Sequence, residues 1–260
     1  MFTVVAYEAD VAAGFAALTP VLPVPDPHVT IDGNSVIIPK DVSKLIGAHA
    51  TFVVDTVAAG LGILSQLQSP GLRRVFNQDI TNMSDGLDVI NGKQPQLYPT
   101  SPVPLDADEG LQALESSAAL ANNNCQIAVF LADGPIPKVD GEIRTIRYTS
   151  VTPSAQGVWT LGVLGVVQEL PQGDYACVGA RVVSALDTGL FRLLFTGYDW
   201  RPGGLLSRGV LENDMEIFRR GNLGVWGTFN WRQLPRIEVC SVLAAPVANP
   251  AVYLDLIKIA

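Results

Sequence analysis

The sequence predicts an all-β protein built as two consecutive β-sandwich halves with few short helices. Three observations lead there. From Glu142 onward, apolar runs of strand length recur every eight to fifteen residues between Gly, Pro, Asp and Asn, the spacing of sandwiches and barrels. Helical periodicity is absent from that half, where runs such as "RTIRYTS" and "FRLLF" instead set polar between apolar side chains. At 260 residues the chain is long enough for one large β domain or two of ordinary size.

Taken in order, "MFTVVAYEADVAAGFAALTPVLPVPDP" reads as an extended N-terminal arm over residues 1–30, within which "FTVVAYEA" is itself a strand candidate. It has no basic residue ahead of its apolar part and carries Glu8 and Asp10, so it lacks the pattern of a secretory signal, and synthesis in a cytoplasm without export is expected. Residues 31–140 form the first sandwich, with strand candidates "HVTIDGNSVIIP", "HATFVVDTV", "RRVFNQDI", "LDVING", "PQLYP" and "CQIAVFLADG". Asp32-Gly33 and Asn91-Gly92 are hairpin dipeptides. Asp41 to Ile46 suits a single helical turn capped by Asp41. "LDADEGLQALESSAAL" is ambiguous, because Asp106-x-x-Glu109 resembles a capping box while Gly110 and Ser116-Ser117 oppose a helix. "LADGPIPKVDGEI" separates the halves near Asp140. Residues 141–260 form the second sandwich, from "EIRTIRYTSV" through "VWTLGVLGVVQEL", "YACVGARVVSA", "GLFRLLFTG", "LGVWGTFNW" and "RIEVCSVLAA" to "AVYLDLIKI".

Composition narrows the function classes. Charged residues make up 16% of the chain against 48% hydrophobic, with a mean hydropathy of +0.29. Ordinary soluble domains carry about 25% charged residues, so protein contacts are expected to cover part of this surface. No apolar run reaches the ~18 residues of a membrane span. The net charge of −8 is uneven. Residues 1–140 hold six basic and fifteen acidic residues, and residues 141–260 hold eleven and ten. Basic residues never cluster beyond Arg73-Arg74 and Arg219-Arg220, which disfavours direct nucleic-acid binding.

Catalytic and metal chemistry find little support. Cys125, Cys177 and Cys240 lie far apart in apolar runs and read as buried thiols. Only His28 and His49 are available as bases, and no nucleophile elbow, zinc-protease helix or phosphate-binding loop occurs. No cofactor, no metal and no enzymatic activity are therefore expected. The acidic clusters Asp106, Asp108, Glu109 and Glu212, Asp214, Glu216 lack calcium-loop spacing and read as solvated loops. A carboxylate-pair glycoside hydrolase stays as a lesser alternative. Trp159, Trp200, Trp226 and Trp231, with Phe229, could instead stack on sugar rings in a carbohydrate-binding sandwich, although flanking glycines favour core or interface packing for Trp226 and Phe229.

The segment from Asp199 to Gly227 reads as a long excursion between strands, and excursions of this length tend to be functional. Its arginines alternate with Glu212, Asp214 and Glu216 among apolar anchors, the residue mix of protein interfaces. A subunit contact is expected through Arg201, Arg208, Met215, Phe218, Arg219, Arg220 and Trp226, with Arg201, Arg219 and Arg220 pairing with acids of a neighbouring copy.

The passages "SPGLRRVFNQDITN", "CQIAVFLADGP", "LPQGDYACVGARVVSA" and "RRGNLGVWGTFNW", set in two β halves without a catalytic constellation, resemble jelly-roll coat proteins of tailless bacteriophages. The resemblance is architectural and covers about residues 30–260. It implies a double jelly roll, a self-assembling capsid subunit forming a homotrimer of pseudo-hexagonal outline, and a place in the virion. It further implies contacts with other virion proteins and with an internal membrane or inner layer, and none with nucleic acid directly. A receptor-binding or accessory virion protein would look similar.

Overall fold

The computed structural model describes residues 1–10, 15–52, 64–69, 77–80, 82–84, 95–117, 124–153, 155–184, 189–208, 216–242 and 248–260. The fold is all-β, with several sheets and, among the described residues, only two single helical turns, Lys40–Val42 and Glu216–Phe218. The chain divides into an N-terminal unit, Val5–Gly134, and a C-terminal unit, Pro135–Ala260 joined by Met1–Val4.

The first ten residues are not a free arm. Phe2–Asp10 is strand β1, followed by β2 (Phe15–Pro20) and β3 (Leu22–Pro23). Phe2, Val4, Val5, Ala6 and Tyr7 are all buried, and an apolar run of that kind gains more from a core than from solvent. The N-terminal unit continues with β4 (Ile31–Asp32), β5 (Ser35–Ile37), β6 (Lys44–Phe52), β7 (Leu64–Gln68), β8 (Asn77–Ile80), β9 (Asn82–Ser84), β10 (Gln96–Leu97), β11 (Val103–Pro104), β12 (Gly110–Ser117) and β13 (Asn124–Ala132). One of its sheets runs β10-β6-β13-β1-β3 and the other β4-β5-β12-β7-β8, with β2 also on β12. Gly33, at φ +56, makes the turn between β4 and β5 that the Asp-Gly dipeptide predicts. The ambiguous "LDADEGLQALESSAAL" is strand from Gly110 to Ser117, because Leu111, Ala113 and Glu115 alternate onto a buried face. The helical turn expected over Asp41 to Ile46 shrinks to Lys40–Val42, with Pro39 rather than Asp41 at its N-cap, and Leu45 and Ile46 are instead buried in strand β6. "LDVING" with Asn91-Gly92 lies outside the described residues.

The C-terminal unit holds β14 (Arg144–Val151), β15 (Thr160–Val166), β16 (Asp174–Ser184), β17 (Gly189–Leu194), β18 (Gly203–Arg208), β19 (Gly227–Asn230), β20 (Arg236–Ser241) and β21 (Ala251–Lys258). They pair in the order β18-β17-β20-β15-β14-β21-β16-β19, and a further β16–β18 pairing closes the sheet into a ring. Its interior is filled by side chains such as Tyr148, Leu164, Val182, Phe191, Ile237, Val252 and Leu254. The unit boundary at Pro135 lies a few residues before the Asp140 expected from composition.

One regularity links the units. In the C-terminal unit, the eight strands numbered in chain order make the rows first-eighth-third-sixth (β14-β21-β16-β19) and second-seventh-fourth-fifth (β15-β20-β17-β18). In the N-terminal unit, β1, β2, β6, β7, β8, β10, β12 and β13 give the same two rows, β1-β13-β6-β10 and β2-β12-β7-β8. The remaining short strands are additions to that plan.

Candidate assembly surface

The described parts of the segment from Asp199 to Gly227 are tied to their own unit. Its first part is strand β18, and its last part folds back across β16. The amide of Gly221 donates to the Val178 carbonyl at 2.6 Å and that of Trp226 to the Cys177 carbonyl at 2.8 Å. Gly179 makes this approach feasible, since a Cβ there would lie 2.8 Å from the Phe218 carbonyl oxygen and 2.9 Å from the Arg219 Cα.

Arg201 and Arg219, two of the three arginines expected to reach acids of a neighbouring copy, are bound within the chain. Arg219 forks onto Asp255, Nε to Oδ2 at 2.7 Å and Nη2 to Oδ1 at 2.8 Å, and the Thr145 hydroxyl and Arg220 amide also donate to that carboxylate. Burial works against the Asp255 charge, but these donors outweigh it and hold the carboxyl below its usual range. Arg201 Nη1 donates to both oxygens of Glu238, at 2.6 and 2.5 Å, and Arg192 Nε donates to the same carboxylate at 2.5 Å. Phe218 is buried, and Trp226 packs between Phe2 (5.4 Å, edge to face) and Phe191 (6.2 Å, stacked). Arg201, Phe218, Arg219 and Trp226 therefore hold the unit together from inside. Arg220 is exposed, at a positive φ of 51°. Met215 and the side chain of Arg208 lie outside the described residues. Sequence reasoning missed Arg192, Glu238 and Asp255, whose partners sit 36 to 46 positions away.

Unsatisfied apolar surface lies elsewhere. Strand β15 turns Gly162 and Leu164 inward and Leu161 and Val163 outward. Val163 pairs in register with Val151 of β14, so the two side chains stand together on the outer face. Val151 is 61% exposed, Val163 49%, Val167 50% and Leu161 38%. Together these four side chains expose roughly 300 Å² of apolar surface, an amount comparable with the larger apolar patches of monomers.

The other candidates resolve individually. All three cysteines are buried free thiols, and burial pushes the Cys177 thiol up to about 12. His28 lies in an exposed turn, its amide bonded to Asp26, while His49 is fully buried on β6 and desolvation lowers it to about 4. Asp106 and Asp108 are exposed, Asp108 beside Lys40 at 3.3 Å; Glu216 is exposed; Glu212 and Asp214 lie outside the described residues. In the N-terminal unit Glu8 and Glu115 are each raised to about 7 by burial. Neither Glu115 oxygen has a conventional hydrogen bond among the described residues, although the Cys125 thiol lies beside it. No cluster of His, Cys, Asp and Glu among the described residues has the arrangement of a metal site, and no helix there is long and apolar enough to cross a membrane.

What the fold defines, then, is an all-β protein of two similarly ordered strand sets with almost no helix. No protein-family model matches the chain, and no curated protein matches it. Among solved structures it aligns with the major capsid protein P2 from Bacteriophage PM2, at 10% identity over 99% of this chain and 97% of that one, with a TM-score of 0.23, too low to establish a common fold.

Proposed function

We propose that each unit is a jelly roll and that the chain is a structural, non-catalytic subunit that self-assembles into a virion shell. The observation that carries this reading is the strand order, first-eighth-third-sixth and second-seventh-fourth-fifth, occurring twice in one chain. That order is the double Greek key of jelly rolls, a fold used by viral capsid and lectin domains. Two such units per chain allow three copies to set six similar units around one axis, which is how a trimer comes to fill a hexagonal position. The low charge content supports the same reading, because copies packed side by side need less solvated surface.

In place of the arginine segment, the outer face of β14 and β15 is the copy-to-copy contact. Its roughly 300 Å² supplies most of the apolar area on one side of a standard interface, taking ~800 Å² per partner at about 57% apolar. An apolar contact also changes the expected salt response, since screening weakens ion pairs and leaves hydrophobic association intact.

Light scattering on the purified protein tests this. The expected mass is three times 27.7 kDa, about 83 kDa, or a larger closed particle, retained at 1 M salt and lost in Val163→Glu without loss of thermal stability. A 27.7 kDa monomer at every concentration and salt would refute the shell reading.

A further inference from the structure

The geometry points to a binding cleft for a neutral pyranose ring at one end of the C-terminal unit, a property separate from assembly. The cleft, about 460 Å³, lies where β15 ends and the β19–β20 turn begins. Trp231, Leu170, Leu234 and Val166 give it an apolar wall, and Gln168 and Glu169 give it a polar rim. Clefts of this size and mixed lining are the usual form of small-molecule sites, which favour the mouths of β-barrels.

The walls are held in place before any ligand arrives. The Trp231 amide donates to the Gly173 carbonyl at 3.0 Å, and Asn230 Nδ2 donates to Asp174 Oδ1 at 2.7 Å, so the two loops that frame the cleft are bonded to each other. The Arg232 guanidinium sits 5.0 Å from the centre of the Trp231 ring, which helps to hold the indole that lines the cleft. The Gln168 Oε1 accepts from the Arg147 amide at 3.5 Å, which leaves its NH₂ group as a donor.

The lining chemistry selects the ligand class. A pyranose offers a flat C–H face for an indole and ring hydroxyls for a carboxylate and an amide, matching both parts of the cleft. A phosphorylated or carboxylated ligand would meet the Glu169 carboxylate on the rim, whereas Arg232, engaged with the Trp231 ring, does not line the cleft. A plain alkyl chain would gain nothing from the rim. One aromatic platform and a few exposed hydrogen bonds correspond to a dissociation constant on the order of 1 to 10 mM.

Saturation-transfer NMR with the methyl glycosides of glucose, galactose, mannose and N-acetylglucosamine tests the assignment. The expected result is saturable transfer to the ring protons of at least one glycoside, abolished by Trp231→Ala, partly kept by Trp231→Phe and weakened about tenfold by Glu169→Ala at a surface position that leaves folding intact. Absence of saturable transfer up to about 50 mM, transfer that survives Trp231→Ala in folded protein, or binding of octanol alone would each overturn it. Light scattering on the same samples reports trimer formation separately.

Discussion

Replacing Glu238 with glutamine removes the carboxylate shared by Arg192 and Arg201 while keeping the side-chain volume. The side chains of Arg192, Glu238 and Arg201 are 1%, 9% and 11% exposed, so water can restore little of what is lost. Breaking a buried charge pair from one side typically costs about 3 to 5 kcal/mol, because the partner charge stays buried. With about 3 to 5 °C per kcal/mol for a unit of this size, the C-terminal unit should melt some 10 to 20 °C earlier. The Arg192 guanidinium lies 4.0 Å from the centre of the Trp159 ring, which makes tryptophan fluorescence a reporter for urea titration of the variant. Replacing all three together, Arg192→Leu, Arg201→Met and Glu238→Leu, should bring stability back to within about 1 kcal/mol of the parent, since no charge is then left buried. A loss below about 1 kcal/mol in Glu238→Gln would refute the reasoning and mean that these guanidiniums reach solvent or another anion.

Other consequences concern pH and the first residues. Glu115 titrates near 7 in the folded N-terminal unit against an ordinary 4.5, so the folded form binds the proton more tightly. Its contribution is fully present below about pH 4.5 and is lost as pH rises through 7, a change of about 3 kcal/mol. Urea midpoints at pH 5 and pH 8 should therefore separate in the parent and draw together in Glu115→Gln, and parallel behaviour of the two proteins would contradict the assignment. Phe2→Ala, which empties one side of the Trp226 ring, should cost the C-terminal unit about 3 to 5 kcal/mol; an unchanged midpoint would mean that Met1–Val4 is no part of it.

Much of the fold was legible in the sequence because strand alternation and turn chemistry are local. "RTIRYTSV" alternates cleanly, and Asp32-Gly33 carries its turn in two residues. Burial of the thiols followed equally from their apolar neighbours. The internal pairing of the arginine segment was not legible, because the acids that bind Arg201 and Arg219 lie 37 and 36 positions away on β20 and β21. Charge pairing across a sheet has no local signature. The exposed face of β15 was hidden for the opposite reason: "TLGVLGV" is apolar on both faces, and alternation cannot say which of two apolar faces meets solvent. Strand β18 went unrecognised because Pro202, Gly203 and Gly204 read as turn residues. There Gly203 and Gly204 permit close backbone contact with Phe191 and Phe218.

The Arg201 strap also has a kinetic side. The Thr3 hydroxyl and Val4 amide bond to Arg201, 198 positions away in the case of Thr3, and the Val4 carbonyl accepts from Arg192 across 188. Contacts of such span form late, after loop closure has been offset by nearer ones. Until then Trp226 would lack the Phe2 ring that packs edge to face against it. During that interval the chain is most prone to sticking to the wrong partner, so the rate at which residues 2–4 dock sets how long the C-terminal unit stays open to misassociation.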